Sequence, residues 1–345
     1  MTDFAASNGN RFAGLRVPLA TSSIPVVVEQ ADDDQAATPL VLRAGRAGVD
    51  LVEFALARRD FIIDQLFERG RILLRGFASA PSDFERVLTA IGGPSLPYVE
   101  RSSPRTHRVG GVYTSTEYPR AFAIFPHNEN SYQRTFPLFL GFHCTLPATQ
   151  GGETTLADCR RVLERIDRAI VDEFAARKVL YVRNFRPELG LPWQTAFQTS
   201  VPAEVEAHCR VNGSTAHWLS IEHLRTSTVL SPLLVHPHTG QRLWFSHVAF
   251  FHPSTLPADV RTALLASYAP EDLPNATFYG DGSPIEAEVM AEIANAYQHE
   301  ELALAWQKQD VLLVDNARMA HGRRPFRGPR EVLVCMTRAV ERDGN

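Results

Sequence analysis

The chain has 345 residues, of which 44% are hydrophobic and 21% are charged, and this supplies enough apolar surface for a globular core. A net charge of −4 and the lack of an apolar run of about eighteen residues argue against a basic nucleic-acid-binding surface and a membrane span. The four cysteines form no CxxC pair and the first residues carry no secretory signal, so we expect a cytoplasmic protein with free thiols and no nucleic-acid or membrane partner.

The pattern of apolar residues predicts the first elements of the chain. Residues 1–47 form a loosely patterned lead-in, with a solvated acidic loop at 32–34. Apolar residues at helical spacing predict one helix over 49–68, and Gly70 offers its C-terminal cap. A short strand is predicted at 71–77.

The rest of the chain alternates short strands with helices. Ser82 and Glu85 are spaced as a capping box for a helix that ends near Gly92. Strands are predicted at 111–115, 121–125, 139–146, 179–185, 233–235, 243–246, 311–314 and 332–337. Helices are predicted at 161–176, 203–209, 259–268 and 285–306. Such short strands with proline and glycine turns predict an α+β fold, with a jelly-roll core and flanking helices, in a single domain over 1–345.

His127 and Glu129 carry the strongest chemical signal. In an extended strand, side chains two positions apart project to the same face, so this imidazole and this carboxylate would converge on one point. With His321, they would complete a 2-His-1-carboxylate set, which holds Fe(II) on one side and leaves the other side open. Chance supplies a His-x-Glu motif in a chain with 12 His and 39 acidic residues, so its setting has to support it.

Each member of this set also has a structural alternative. His321 could be a hydrogen-bonded structural residue, and Asp315 with Asn316 could cap the turn before it. Arg330, just before an apolar run that begins at Val332, could face a pocket or lie on the solvated surface.

Two other histidine motifs favour structural roles. His236 and His238 sit at a hairpin turn without a nearby third carboxylate, which favours turn formation or packing over a metal site. His299 lies in a helix-like acidic segment, where residues two apart do not share a face. We therefore expect a solvated helical surface at His299.

The residues identified so far, taken with further blocks between them, resemble the TauD/TfdA group of Fe(II)/2-oxoglutarate-dependent oxygenases. Within that group the chain resembles the branch of syringomycin-type aspartyl β-hydroxylases. The similarity runs from about residue 73 to residue 338. The matching blocks, in order, are 73–77, 113–119, 127–132, 151–158, 315–323 and 328–330.

The resemblance implies a double-stranded β-helix core and a set of site residues. His127, Glu129 and His321 would bind Fe(II), and Arg330 would pair with the distal carboxylate of 2-oxoglutarate, helped by the hydroxyl of Thr154. O2 would be the second co-substrate. The reaction would be hydroxylation of an amino acid, free or tethered to a peptidyl carrier protein in natural-product biosynthesis, with release of succinate and CO2.

Two positions depart from the family pattern. Many members carry Asp where this chain has Glu129; because the carboxylate is present, we expect hydroxylation rather than halogenation. Several relatives carry a substrate-binding Arg at the position of Val334, and Arg338 could act in its place. Asn130 and Glu117 could line the substrate pocket or only satisfy backbone groups.

Other functions remain open from the sequence. The same oxidant could perform desaturation, epoxidation or cyclisation. A cupin-like metalloenzyme that does not use 2-oxoglutarate and a non-catalytic binding module are rivals from other classes. The oligomeric state is also open.

Overall fold

The computed structural model describes residues 16–18, 26–29 and 39–342. The predicted acidic loop at 32–34 lies outside the described residues. Within the predicted lead-in, Leu40–Ala44 forms a strand that the sequence pattern did not indicate.

Short strands dominate the described chain. Numbered in chain order, they are Arg16–Pro18 (β1), Val26–Glu29 (β2), Leu40–Ala44 (β3), Arg71–Arg75 (β4), His107–Val109 (β5), Val112–Thr114 (β6), Ile124–His127 (β7), Thr135–Leu146 (β8), Gln150–Gly151 (β9), Thr154–Asp158 (β10), Val179–Phe185 (β11), Thr215–Trp218 (β12), Leu224–Leu230 (β13), Leu233–Val235 (β14), Arg242–Trp244 (β15), Asn275–Tyr279 (β16), Leu302–Leu304 (β17), Val311–Asp315 (β18), Met319–Arg323 (β19), Phe326–Arg327 (β20) and Glu331–Glu341 (β21).

The helices lie between these strands. They are Leu51–Ala57 (α1), Arg59–Arg69 (α2), Phe84–Gly92 (α3), Cys159–Arg165 (α4), Arg168–Arg177 (α5), Trp193–Phe197 (α6), Pro202–Val211 (α7), Val248–Phe251 (α8), Ala258–Ser267 (α9) and Ala287–Glu300 (α10). None of these helices of the described chain has the length and apolarity to cross a membrane.

Two sheets form the core. The larger has nine strands in the order β1-β2-β3-β4-β18-β8-β21-β6-β5, and the smaller has four in the order β17-β10-β19-β7. Phe142 and Val334 of the larger sheet belong to one apolar cluster with Leu156 and Met319 of the smaller sheet. The two sheets therefore pack face to face, as in the predicted jelly roll.

The central strand β18 of the larger sheet is buried on both faces. In β18, Leu312 and Val314 belong to the cluster between the sheets, whereas Val311 and Leu313 belong to the cluster that includes the helices. Side chains alternate between the two faces of a strand, so an unbroken apolar run can fill both clusters. The third sheet, in the order β12-β13-β11-β16, lies in the segment between β10 and α10.

Several predicted elements differ in detail. The helix expected at 161–176 is divided into α4 and α5, and the strand expected at 121–125 begins only at Ile124. The helix expected at 49–68 is two helices that meet at Arg58, although Gly70 caps the second one with a φ of 76°, as predicted. The capping box was wrong, because the N-cap of α3 is Asp83 and no side chain caps it. Glu85 instead accepts hydrogen bonds from the Ser95 hydroxyl and the Gly111 N–H.

The helix predicted at 285–306 is also too long. It ends at Glu300, and residues 302–304 form β17, whose backbone pairs with β10. Pairing with a distant strand is a tertiary effect, so the local apolar spacing could not indicate it. The four cysteines are free and buried, as expected.

Candidate metal centre

Two neighbouring strands bring the two histidines together. His127 is the last residue of β7 and pairs directly with His321 in the antiparallel strand β19. Their ring centroids are 4.6 Å apart. The side chains of directly opposed residues in an antiparallel pair lie on the same face of the sheet. The register of this pair thus places two imidazoles at one edge of the smaller sheet.

Glu129 reaches the same point from a turn and not from a strand, which corrects the sequence prediction. Strand β7 ends at His127, and the chain turns through the following residues. The side chain of Asn316 fixes this turn: its Oδ1 accepts from the Glu129 N–H at 2.7 Å, and its Nδ2 donates to the Glu129 carbonyl at 2.9 Å. Asn128 returns a hydrogen bond of 2.7 Å to the Asn316 carbonyl.

The three side chains together form a buried donor set. One potential ligand atom from each of His127, Glu129 and His321 lies within 4.8 Å of the others. Nδ1 of His127 donates to the Phe125 carbonyl at 2.9 Å, which leaves the lone pair of Nε2 free. Nδ1 of His321 is buried and has no hydrogen-bond partner among the described residues. Uncommitted buried donors of this kind fit a divalent metal.

Burial also gives the imidazoles the protonation state that a metal requires. Loss of hydration lowers the pKa of His127 and lowers the pKa of His321 well below its ordinary value. Both rings are therefore neutral near pH 7 and can offer a lone pair.

Two buried residues hold one oxygen of the Glu129 carboxylate. Oε2 accepts from Nη2 of Arg105 at 2.9 Å and from the hydroxyl of Tyr98 at 3.0 Å. Burial raises the pKa of Tyr98 well above its ordinary value, so its phenol stays protonated and donates. Burial acts to lower the pKa of Arg105, but the neighbouring Glu129 carboxylate raises it and the net shift is upward, so Arg105 stays charged.

Thr154 and Arg330 lie beside the donor set. Both line a narrow cavity that His127 and His321 also line. Nε of Arg330 donates to the Gly152 carbonyl at 3.0 Å, which orients the guanidinium, and burial lowers its pKa to about 10. The Thr154 hydroxyl accepts from Nε1 of Trp306 at 3.0 Å. This side of the cavity thus presents a cation and a hydroxyl to an anionic ligand.

A second cavity of about 190 Å³ adjoins the first at His127. Phe250 forms part of its wall and stacks on the His127 ring, with centroids 4.4 Å apart. None of the described residues that line it is Asp, Glu, Lys or Arg. The residues that line this second cavity are Ser102, Ser103, Thr116, Tyr118, Ala123, Ile124, Phe125, His127, Phe250, Phe251, Thr255, Leu256 and Asn275.

The remaining predicted site residues are not in the lining of these two cavities. The Glu117 carboxylate accepts hydrogen bonds from the hydroxyls of Thr106 and Thr114. Asn130 lies in the turn after β7 with a φ of 57°. The Arg338 guanidinium lies over the rings of two core phenylalanines. Their substrate roles stay predictions.

The structural alternatives for the other histidines are confirmed. Nε2 of His236 lies 2.8 Å from Oδ2 of Asp315. The sequence pattern did not indicate a carboxylate near His236. The two side chains form a buried hydrogen bond beneath the turn. The His238 ring stacks on Phe67 at 3.9 Å. His299 lies in α10, as expected. Oδ1 of Asp315 also caps the following turn.

Comparison with known proteins gives consistent matches. Residues 35–336 match the family described as taurine catabolism dioxygenase TauD, TfdA family. The chain is 42% identical to the dapdiamide synthesis protein DdaC of Enterobacter agglomerans over 276 residues, or 79% of this chain and 84% of DdaC. It is 30% identical to a clavaminate synthase-like protein of Arabidopsis thaliana over 297 residues, or 81% of this chain and 84% of that protein.

A solved structure shows the same fold. PvcB of Pseudomonas aeruginosa superposes with a TM-score of 0.55 at 17% sequence identity, over 95% of this chain and 99% of PvcB. The jelly-roll core predicted from the sequence is thus confirmed.

Two neutral imidazoles and a carboxylate beside an open cavity are the donor set of non-haem Fe(II) oxygenases. The match over most of the chain makes the class more specific: the chain belongs to the TauD, TfdA family of dioxygenases. It is a non-haem dioxygenase that depends on Fe(II), 2-oxoglutarate and O2. This excludes the rival functions of a metalloenzyme that does not use 2-oxoglutarate and of a binding module without activity.

Proposed function

We propose that this dioxygenase hydroxylates an unactivated C–H bond of an amino acid or amino-acid-derived compound in natural-product biosynthesis, with release of succinate and CO2. The substrate is free or tethered to a peptidyl carrier protein. The similarity to DdaC, a protein named for dapdiamide synthesis, supports a biosynthetic role. Four buried free thiols support a reducing compartment such as the cytoplasm, and the two packed sheets support a single domain.

In this proposal, His127, Glu129 and His321 hold the iron, and the observation that carries it is that one potential ligand atom of each buried side chain lies within 4.8 Å of the others. When bound there, Fe(II) with 2-oxoglutarate and O2 supplies the oxidant for the C–H bond. The presence of Glu129 leaves no ligand position for a halide in place of the carboxylate, which supports hydroxylation over halogenation.

Arg330 and Thr154 bind and orient the co-substrate. The planar guanidinium matches a carboxylate with two parallel hydrogen bonds, and the hydrogen bond from Arg330 to Gly152 fixes its direction. Trp306 donates to the Thr154 hydroxyl, so the Thr154 proton is free to donate to the same carboxylate. Together they place the distal end of 2-oxoglutarate and exclude water from that side of the cavity.

The second cavity is the proposed site of the substrate. It meets the first cavity at His127, so a group bound there lies next to the donor set. Its volume, about 190 Å³, suits a group smaller than a drug-sized ligand. The hydroxyls of Ser102, Ser103 and Thr116 offer hydrogen bonds, and Phe250 offers an apolar wall, which suits an amino-acid side chain.

The test is a reaction with identified products. The protein is loaded with Fe(II) and 2-oxoglutarate without oxygen and is then exposed to O2 with candidate amino acids and aminoacyl carrier proteins. We expect one succinate for each substrate that gains one oxygen by mass spectrometry. A product that has lost two hydrogens, or that contains an epoxide or a new ring, would show that the enzyme performs another oxidation instead of hydroxylation. Oxidation that proceeds without 2-oxoglutarate would contradict the proposal.

A further inference from the structure

The two oxygens of the Glu129 carboxylate differ in their hydrogen bonds. Oε2 accepts both hydrogen bonds, from Nη2 of Arg105 at 2.9 Å and from the Tyr98 hydroxyl at 3.0 Å. Within the part of the chain that the structure describes, Oε1 accepts none. The Arg105 and Glu129 side chains are each only 4% exposed, so no bulk water competes for this ion pair. The difference between the two oxygens is therefore set by buried protein contacts.

Arg105 is itself held in place. Its guanidinium lies over the Tyr98 ring, 4.4 Å from the centroid, so the two donors to Oε2 also contact each other. Its hydrogen bond to Glu129 is the single one that its side chain donates within residues 39–342, although a guanidinium has five N–H donors. Arg105 also lines the cavity that contains Arg330, His127 and His321.

We propose that Arg105 and Tyr98 are positioning residues that reserve Oε1 as the single ligand atom of Glu129. The proposal rests on the proposed function, because it takes Glu129 as an iron ligand. A carboxylate can bind a metal through one oxygen or through both. Three single-atom ligands leave three positions, which 2-oxoglutarate and O2 together need. A second bond from Oε2 would fill one of these positions, and the hydrogen bonds to Oε2 prevent it.

The positive charge of Arg105 also affects how tightly the site binds the metal and the co-substrate. It neutralises Glu129, so the carboxylate attracts a divalent cation less strongly while the cavity lacks an anion. It also adds to the positive charge of Arg330, which attracts the dianionic co-substrate. Removal of Arg105 should therefore strengthen metal binding and weaken co-substrate binding. If the ion pair had only a structural role, its removal would give another result, because loss of packing would weaken both metal binding and co-substrate binding.

The test measures the two affinities separately. Mn(II) is titrated into the metal-free protein, and N-oxalylglycine, an unreactive analogue of 2-oxoglutarate, is then titrated into the Mn(II)-loaded protein. For Arg105→Gln, we expect Mn(II) to bind as tightly as to wild type or more tightly. We expect N-oxalylglycine to bind roughly tenfold more weakly, because a positive charge is removed from the cavity that takes the dianion. Tyr98→Phe, which keeps the ring and the charge, should shift both affinities in the same directions by less.

Arg330→Met is the matched control, since it removes another guanidinium from the same cavity without touching Glu129. It should weaken N-oxalylglycine and leave Mn(II) affinity unchanged. Thermal melting shows whether each variant folds. If Arg105→Gln does not fold, the two affinities are compared between Tyr98→Phe and wild type.

Two results would overturn the inference: Mn(II) affinity that falls about tenfold or more in Arg105→Gln or Tyr98→Phe, or N-oxalylglycine affinity that stays at the wild-type value in Arg105→Gln. Failure of the proposed function is distinguishable, because Mn(II) would then bind His127→Ala as tightly as wild type.

Discussion

The two cavities that meet at His127 share Thr116 and Ile124, but most of their other walls come from different kinds of element. The cavity beside Arg330 is lined by residues of paired strands, such as Phe142 in β8, Thr154 in β10 and His321 in β19. The neighbouring cavity is lined mainly by loops and by α8. Hydrogen-bonded strands fix positions that a reaction shared by a whole family needs, whereas loops can vary in sequence without disturbing the sheets. In the proposed function, the reaction class is therefore encoded mainly in the strands and the substrate preference mainly in the loops.

The largest effect should come from the strand side of this comparison. We expect His127→Ala and His321→Ala each to abolish succinate formation coupled to substrate, because two remaining donors hold Fe(II) too weakly. Mass spectrometry of succinate, with metal content measured on the same samples, checks this. Coupled turnover in both variants would exclude the donor set. His299→Ala, on the outer helix α10, is the matched control and should keep wild-type turnover.

Arg330→Met should have the next largest effect. Removal of one partner of a buried charge pair costs about 2–5 kcal/mol, which is roughly 30-fold or more in the Kd of 2-oxoglutarate. Anaerobic titration of the Fe(II)-loaded protein measures it. Arg324→Met, which removes a half-exposed Arg paired with Glu301, should leave this Kd unchanged. Equal co-substrate affinity in Arg330→Met and wild type would reject this role.

A change on the loop side should affect the substrate alone. Leu256→Trp places a larger side chain in the second cavity, so we expect substrate hydroxylation to fall about tenfold or more through misplacement of the reacting group. Mn(II) and N-oxalylglycine affinities should match wild type, since neither ligand occupies that cavity. Calorimetric titration checks the affinities, and weakened co-substrate binding would show that the two cavities are not separate in function.

The smallest predicted effect is a pH dependence of the metal-free protein. Burial lowers the pKa of His127, His247 and His321 below the ordinary value of 6.5, so the folded state keeps them neutral at pH values where the unfolded chain is protonated. Their contribution to the free energy of unfolding should be full above pH 6.5 and decrease as the pH falls below it. Thermal midpoints between pH 8 and pH 5 check this, and a midpoint independent of pH would contradict it.

Much of the proposed reaction centre could be predicted from the sequence because its residues lie in compact motifs. His127, Glu129, Thr154, His321 and Arg330 each stand in a block that resembles the family. The geometry assumed for Glu129 was wrong, since a regular strand was extended past its end. The turn at Glu129 depends on Asn316, which is 187 positions away, and no local pattern indicates such a contact.

Arg105 and Tyr98 were missed for a related reason. Arg105 stands in a polar segment, and a sequence gives no sign that a guanidinium there is buried against a carboxylate 24 positions later. The helix boundary at Glu300 also depends on a tertiary contact, because the strand that follows it pairs with β10. Burial and pairing of polar groups are properties of the folded chain, so only a structure reveals them.

Anaerobic titration tests directly whether the donor set holds Fe(II) and 2-oxoglutarate. Wild-type protein and His321→Ala are titrated with Fe(II) and then with 2-oxoglutarate in the absence of oxygen, and the visible absorption that arises when a 2-oxo acid chelates Fe(II) is recorded. We expect one Fe(II) and one 2-oxoglutarate per wild-type chain, with no such absorption in His321→Ala. An equal absorption in the variant, or none in the wild type, would contradict it.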